Sequence, residues 1–182
     1  IEEFIEMKFY DETIVDKIVK SESQYINIIG FFQSYKYYEN ITAELTTTYT
    51  LKSHYRNKVN AIIEPYRNKL LISIHVRRGD YFDNSNIHKV LPLEYYIKAT
   101  DYIRSINYNN LSNQDIVFMI FSDDIEWCRR MFYSLELEDR HEVIYPNHED
   151  IVDMYLMSQC DMHIISNSSF SLLGQYLNDR YD

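Results

Sequence analysis

Apolar and polar residues follow two different rhythms along this chain, and the change falls near residue 69. Before it, Ile14, Ile18 and Val19 recur at helical spacing among charged residues. Tyr25-Ile26-Asn27-Ile28-Ile29 reads as a strand stopped by Gly30. An aromatic cluster follows (Phe31, Phe32, Tyr35, Tyr37, Tyr38), which fits either a cleft lining or a core. Thr46-Thr47-Thr48 reads as a polar break, after which Leu51, Tyr55, Val59, Ile62 and Ile63 mark a helix that Pro65 ends.

From residue 69 the pattern becomes strand, then helix, repeated. Leu70-Leu71-Ile72-Ser73-Ile74 is a short run with the character of a buried strand. Pro92 opens a helix whose inner face is Leu93, Tyr96, Ile97, Thr100 and Ile103. Residues 115–121 predict the next strand, and Asp124 stands where it can cap a helix facing inward with Ile125, Cys128 and Phe132. A third strand spans 142–145, closed by Pro146-Asn147, and Ile151, Met154, Tyr155 and Ser158 mark a helix. A fourth strand spans 162–165 and runs into Ser166-Asn167-Ser168-Ser169, before a helix marked by Phe170, Leu173 and Leu177.

This alternation predicts an α/β fold: a Rossmann-like, mostly parallel sheet over residues 69–182, with residues 1–68 as a separate segment and connecting helix. Right-handed crossovers place every strand's carboxyl end on one edge, where ligands bind in such sheets. The polar residues fall there: Arg77, Arg78 and Asp80, then Ser122 and Asp123, then Asn147, then Ser166 to Ser169. Two adjacent guanidiniums at the end of a buried strand call for an anion. Arginine's planar fork matches phosphate oxygens two at a time, and a helix start offers unpaired N–H groups. The plainer alternative is that both arginines are solvated turn residues or pair with Asp80. Neither a GxGxxG nor a GxxxxGK[ST] loop is present, which excludes the dinucleotide fingerprint and the P-loop.

Charge sharpens this picture. The chain carries a formal charge of −10, which argues against nucleic acid or an anionic membrane as a partner and makes the local arginine pair stand out. No apolar run approaches the length of a membrane span. The two cysteines, Cys128 and Cys160, lie in helix-like stretches without zinc spacing and read as reduced structural thiols. Ile1 stands where a methionine would begin a chain, so the sequence reads as a fragment or as a chain from which something was removed.

His75-Val76-Arg77-Arg78-Gly79-Asp80-Tyr81 resembles the HxRRGDY signature of the α-1,2-fucosyltransferases, glycosyltransferase family 11. Three further blocks agree in order: Gly30-Phe31-Phe32-Gln33-Ser34, residues 121–128, and Ser166-Asn167-Ser168-Ser169-Phe170-Ser171. Residues 153–160 resemble the family's helix before the last block. The resemblance runs from about Gly30 to the end of the chain. It departs at Leu172-Leu173, where bacterial members usually carry two tryptophans.

The resemblance implies a GT-B fold, of which this chain holds the nucleotide-binding half and a remnant of the amino-terminal, acceptor-side domain. It implies inverting transfer of L-fucose from GDP-β-L-fucose to a galactose hydroxyl of a glycan acceptor, without metal or any cofactor beyond the GDP-fucose donor. Arg77 is implied as the diphosphate contact, Arg78 as its support and Asp80 as the group that orients both, with Arg77 and Asp80 the catalytic pair. His75 is implied to touch guanine through its backbone, Asp153 to accept guanine N–H groups, and Ser168 and Ser169 to hold phosphate. Asp123 is a further candidate, for the ribose or for the shape of the site. No residue is marked as the base for the acceptor hydroxyl. Two other readings compete: a GDP-sugar-binding module without catalysis, and an adhesion module built on Arg78-Gly79-Asp80.

Overall fold

The expected succession of strands and helices is present in the computed structural model, which describes residues 1–6, 10–83, 89–106, 115–134 and 137–178. Two compact units, Ile1–Thr48 and Tyr49–Asp182, make up the chain. The first holds β1 (Glu2–Ile5), α1 (Glu12–Lys20), β2 (Ile26–Ile29) and α2 (Thr42–Thr48). Its two strands pair in parallel, from Glu2 opposite Ile26 to Ile5 opposite Ile29. Asp11 caps α1 by accepting from the Thr13 amide at 3.0 Å.

Two local expectations change here. Thr46–Thr48 is not a break but the end of α2, because the Thr46 and Thr47 hydroxyls donate back to the Ala43 carbonyl at 2.9 and 2.8 Å. The aromatic cluster divides: Phe32 packs edge-on against Tyr37, whereas Phe31 is 82 % exposed. Glu6 shapes this loop by accepting from the Phe31 and Phe32 amides at 3.0 and 2.7 Å. A Cβ at Gly30 would stand 2.5 Å from the Glu6 Cβ, so only glycine fits.

The second unit contains α3 (Ser53–Ile63), β3 (Leu70–Val76), α4 (Gly79–Asp83), α5 (Leu93–Ser105), β4 (Ile116–Ser122), α6 (Ile125–Ser134), α7 (Leu137–Arg140), β5 (Glu142–Ile144), α8 (Asp150–Ser158), β6 (Met162–Ile164) and α9 (Ser169–Tyr176). Its four strands are parallel in the order β5-β4-β3-β6. Residues alternate across β3: Leu70, Ile72, Ile74 and Val76 face a core with Tyr96 and Ile103 of α5 and Cys128 and Phe132 of α6. Leu71 faces the other core, with Val59 and Ile63 of α3 and Val152, Leu156 and Met157 of α8. Helix α3 therefore belongs to this unit, and the units divide at Thr48–Tyr49. Cys128 and Cys160 are both free and buried, with Cys160 just beyond the end of α8. Among the described residues no helix is long and apolar enough to cross a membrane.

The strand order creates a switch point. From β3 the chain steps outward to β4 and β5, then returns to place β6 on the other flank of β3. Helix α5, after β3, packs on one face of the sheet and α9, after β6, on the other, the arrangement that marks the ligand-binding edge in open α/β sheets.

Two histidines lie beneath that edge, His75 buried and His163 partly buried. The Asn178 amide donates to the Cys160 carbonyl (2.6 Å) and to His163 Nε2 (2.9 Å), which fixes Nε2 as an acceptor. Nδ1 then carries the proton toward Ser73 Oγ at 2.7 Å. A second proton would face the amide N–H, and burial holds the His163 pKa down at about 4. Burial also lowers His75 to about 4, with Asp123 acting in the opposite direction. An unfolded histidine binds its proton near pH 6.5 while the folded one does not, so stability falls as pH drops from about 6.5 toward 4. Each histidine should contribute roughly a tenfold rise in the unfolding constant per pH unit inside that window. Urea denaturation at a series of pH values checks this. His163→Gln should flatten the slope by about one proton, and an unchanged slope would contradict the assignment.

Candidate functional site

Strand register builds the site. Val76 lies opposite Ser122 in the β3–β4 pair, so the next residues of each strand, Arg77 and Asp123, then Arg78 and Asp124, leave the sheet side by side. The two pairs continue the ladder as ion pairs. Arg77 Nη1 lies 3.2 Å from Asp123 Oδ2, and Arg78 Nε lies 3.2 Å from Asp124 Oδ2. Arg77 also bonds Asp80, in the first turn of α4, Nη2 to Oδ1 at 2.8 Å. Asp123 Oδ1 accepts from the Arg78 amide at 2.9 Å, which pins the carboxylate from a third direction.

The two arginines differ in surroundings. The Arg78 guanidinium stacks on the Trp127 ring, 4.0 Å from its centroid, and only 18 % of its side chain is exposed. Its partner Asp124 also accepts from the Trp127 amide at 3.1 Å, capping the first turn of α6. Arg78, Asp124 and Trp127 thus lock strand end to helix start. The Arg77 side chain is 33 % exposed, beside a largely exposed Asp80 and with the Tyr81 ring 5.6 Å away. Of the two arginines, Arg77 is therefore the more accessible. Asp80, expected to orient the arginines, bonds Arg77, and Asp124 joins it as a carboxylate on the Arg78 side chain.

The end of β6 supplies the other wall. Ser168 caps α9, its hydroxyl accepting from the Phe170 amide, so Ser169 and the first amides of α9 stand at the same carboxyl edge as Arg77. The loop before them is tied down on several sides. Tyr95 donates to the Ile165 carbonyl (2.7 Å), Tyr81 to the Asn167 carbonyl (3.0 Å), and Asn167 donates to the Lys89 carbonyl (2.9 Å). Below the rim, His75 Nδ1 and Ser166 Oγ lie 2.7 Å apart, both residues buried.

Asp153 sits in the first turn of α8, beyond the end of β5. Its two oxygens engage His148, accepting from the backbone amide at 3.2 Å and meeting Nδ1 at 2.9 Å. The architecture therefore brings His75, Arg77, Arg78, Asp80, Asp123, Ser168 and Ser169 to the ends of β3, β4 and β6, and places Asp153 at the β5 end of the same edge. Nothing in the sequence pattern assigns roles to Trp127, Tyr95 or His148. An aromatic one turn into a helix that follows an arginine-bearing strand is a usable signal for Trp127; the others depend on long-range contacts.

Chemically, this edge offers a partly exposed guanidinium held between carboxylates, a helix start capped by Ser168, and a carboxylate beyond the end of β5. That is a set for a phosphate-bearing ligand with a polar head group.

Comparison with known proteins shows the family and the fold. The family model described as glycosyl transferase family 11 matches residues 6–181. An α-1,2-colitosyltransferase of Escherichia coli is 34 % identical over 180 residues, covering 96 % of this chain and 59 % of the relative. A galactoside α-(1,2)-fucosyltransferase 2 of Bos taurus is 25 % identical over 166 residues, covering 85 % of this chain and 45 % of the relative. The chain thus spans about half the length of these curated relatives. Among solved structures, the fucosyltransferase NodZ from Bradyrhizobium aligns over 90 % of this chain and 56 % of its own, with a TM-score of 0.59 at 13 % identity. A NodZ α-1,6-fucosyltransferase co-crystallized with GDP aligns equally well, with a TM-score of 0.59 at 14 % identity over 90 % of this chain and 57 % of its own. These likenesses establish the α/β architecture as of GT-B type.

Gly79 tests how tightly the edge is built. A Cβ there would stand 2.7 Å from Asp123 Oδ2, and Asp123 is pinned by Arg77 and by the Arg78 amide. Gly79→Ala should destabilise the chain by about 1–3 kcal/mol in urea denaturation. The loss should shrink when Asp123 is also replaced by alanine.

Proposed function

The chain belongs to glycosyl transferase family 11, and from that premise we propose that it carries the donor site of an inverting enzyme that moves L-fucose from GDP-β-L-fucose to a galactose hydroxyl, forming an α-1,2 linkage. The observation that carries this reading is that Arg77 and the start of α9 follow neighbouring strands at one carboxyl edge, where the strand order reverses. As the bond between sugar and diphosphate breaks, negative charge grows on the departing phosphate. A guanidinium and amide donors already in place stabilise that charge more in the transition state than in the ground state.

Each implied residue then has a task. Arg77 contacts the diphosphate, and Asp80 and Asp123 hold its fork in plane while part of it remains for phosphate. Arg78 supports the site through α6. Ser168 and Ser169 present the amides of α9. Asp153 accepts the adjacent N–H groups of guanine, exchanging His148 for the base, and the His75 backbone lies beside it. Asp123, with both oxygens engaged, serves the shape of the site rather than the ribose. Residues 1–48 stand for part of the acceptor-side domain. The acceptor is a galactose-containing glycan, and the donor is the only small molecule the reaction needs. Asp123 and Asp124 are each bonded to an arginine, which supports a reaction without metal.

One observation favours a second donor sugar: the Escherichia coli relative that aligns with nearly the whole chain is named for colitose. Competition between fucose and colitose on the same nucleotide decides between them.

GDP should raise the melting temperature of the chain more than ADP or UDP at equal concentration; equal shifts would contradict the guanine role of Asp153. Arg77→Ala should weaken GDP binding by about 30-fold to several-thousand-fold in calorimetric titration, and Arg77→Lys should not restore it, because an ammonium lacks the bidentate geometry. Arg78→Ala should cost more in melting temperature than in affinity. Transfer by the enzyme should survive EDTA; loss of activity restored by Mg²⁺ or Mn²⁺ would revive Asp123 and Asp124 as ligands.

A further inference from the structure

Arg77 and the start of α9 come from strands that are neighbours, but nothing in the sheet itself fixes the loop between β6 and α9. The β3–β6 pairing ends at Ile74 opposite Ile164, before either functional segment begins. Beyond that point, side chains must set the distance between the two walls. Among the described residues, four side-chain bonds tie the loop to segments outside α9. Those from Tyr81, Tyr95 and Asn167 involve exposed groups at the rim. The fourth, between His75 Nδ1 and Ser166 Oγ at 2.7 Å, is buried, with His75 only 4 % and Ser166 5 % exposed.

Burial gives this tether its weight. A rim hydrogen bond that breaks is replaced by water, whereas a buried imidazole or hydroxyl left without its partner keeps the full desolvation cost. The Phe170 ring lies 5.5 Å from the imidazole, on the side of α9. On the far side, the Ser171 hydroxyl donates to the Ser166 and Ser168 carbonyls at 3.4 and 3.1 Å, making loop and helix start one rigid piece. His75 lies two residues before Arg77, and Ser166 three before Ser169.

We propose that the His75 imidazole and the Ser166 hydroxyl form a buried latch that holds the start of α9 against the end of β3, making His75 and Ser166 positioning residues for the phosphate site. The latch rests on the donor-site reading only for the identity of what is positioned. Because burial keeps the imidazole neutral, the bond joins two uncharged groups. The side chain of His75 thus serves the spacing of the walls, whatever its backbone touches.

The test uses calorimetric titration of this chain with GDP at a temperature where every variant is folded. Ser166→Ala and His75→Gln should each weaken binding roughly ten- to hundredfold. His75→Asn, whose terminal atoms stand near the Nδ1 position, should stay within about threefold of the unaltered chain. Ser166→Ala combined with His75→Gln should be little worse than either alone, since both remove one bond. Additive losses, or an Asn variant as poor as the Gln variant, would overturn the latch. Binding of GDP by the unaltered chain with no loss in these variants would overturn it too, while leaving the donor reading intact. If the unaltered chain binds no GDP, the donor reading fails, and the latch is then judged by ¹⁵N spectra of the His75 ring. A single tautomer with Nδ1 hydrogen-bonded between about pH 6 and 8, lost in Ser166→Ala, supports it; a freely titrating ring overturns it.

Discussion

The parallel register between β3 and β4 is the constraint on which the site depends. With Val76 set opposite Ser122, two arginines and two aspartates leave the sheet in step, and each arginine meets the carboxylate directly across from it. A slip of one residue would drive the β3 side chains into the opposite core and set each guanidinium against the wrong neighbour. Register is secured far from the site by the two cores that sandwich β3, whose alternate residues are buried on opposite faces. Hydrophobic burial along seven residues thus sets the position of charges that lie beyond the strand's end.

Division of labour between the arginines follows from what surrounds them. Arg78 is stacked on Trp127 and bonded to the cap of α6, so its charge is largely spent on architecture. Arg77 keeps partial exposure between Asp80 and Asp123. Two carboxylates around one guanidinium leave the edge without a surplus of positive charge, so affinity for a diphosphate must come from directed donors rather than from a diffuse field. In an acidic chain this favours a ligand that fits the donors over one that is merely anionic.

The face of β3 toward α8 and α9 shows how polar residues are tolerated inside such a sheet. Ser73 is matched with His163 and Asn178, and His75 with Ser166, so the buried groups on that face are satisfied by one another. Both imidazoles stay neutral in these surroundings. The same bonds that make burial affordable also tie β3 to β6 and to the end of α9.

By itself the sequence determined the alternation of strands and helices, the shared carboxyl edge, and the list of residues that meet there, because each rests on local period, capping and crossover rules that short stretches encode. Pro92, Asp124 and Ser168 mark helix starts, and Leu70–Ile74 marks the central strand. The HVRRGDY stretch carried the family likeness that the comparison with known proteins sustains. Local chemistry misjudged Thr46–Thr48, where side chains satisfied within the helix override the polar pattern. Only the tertiary structure decided that Asp124 bonds the Arg78 side chain, that Trp127 lies beneath it, that Asp153 holds His148, and that His75 meets Ser166. Most of those pairings join residues far apart in the chain. They depend on strand order and register, which long-range packing sets and which no local period can record.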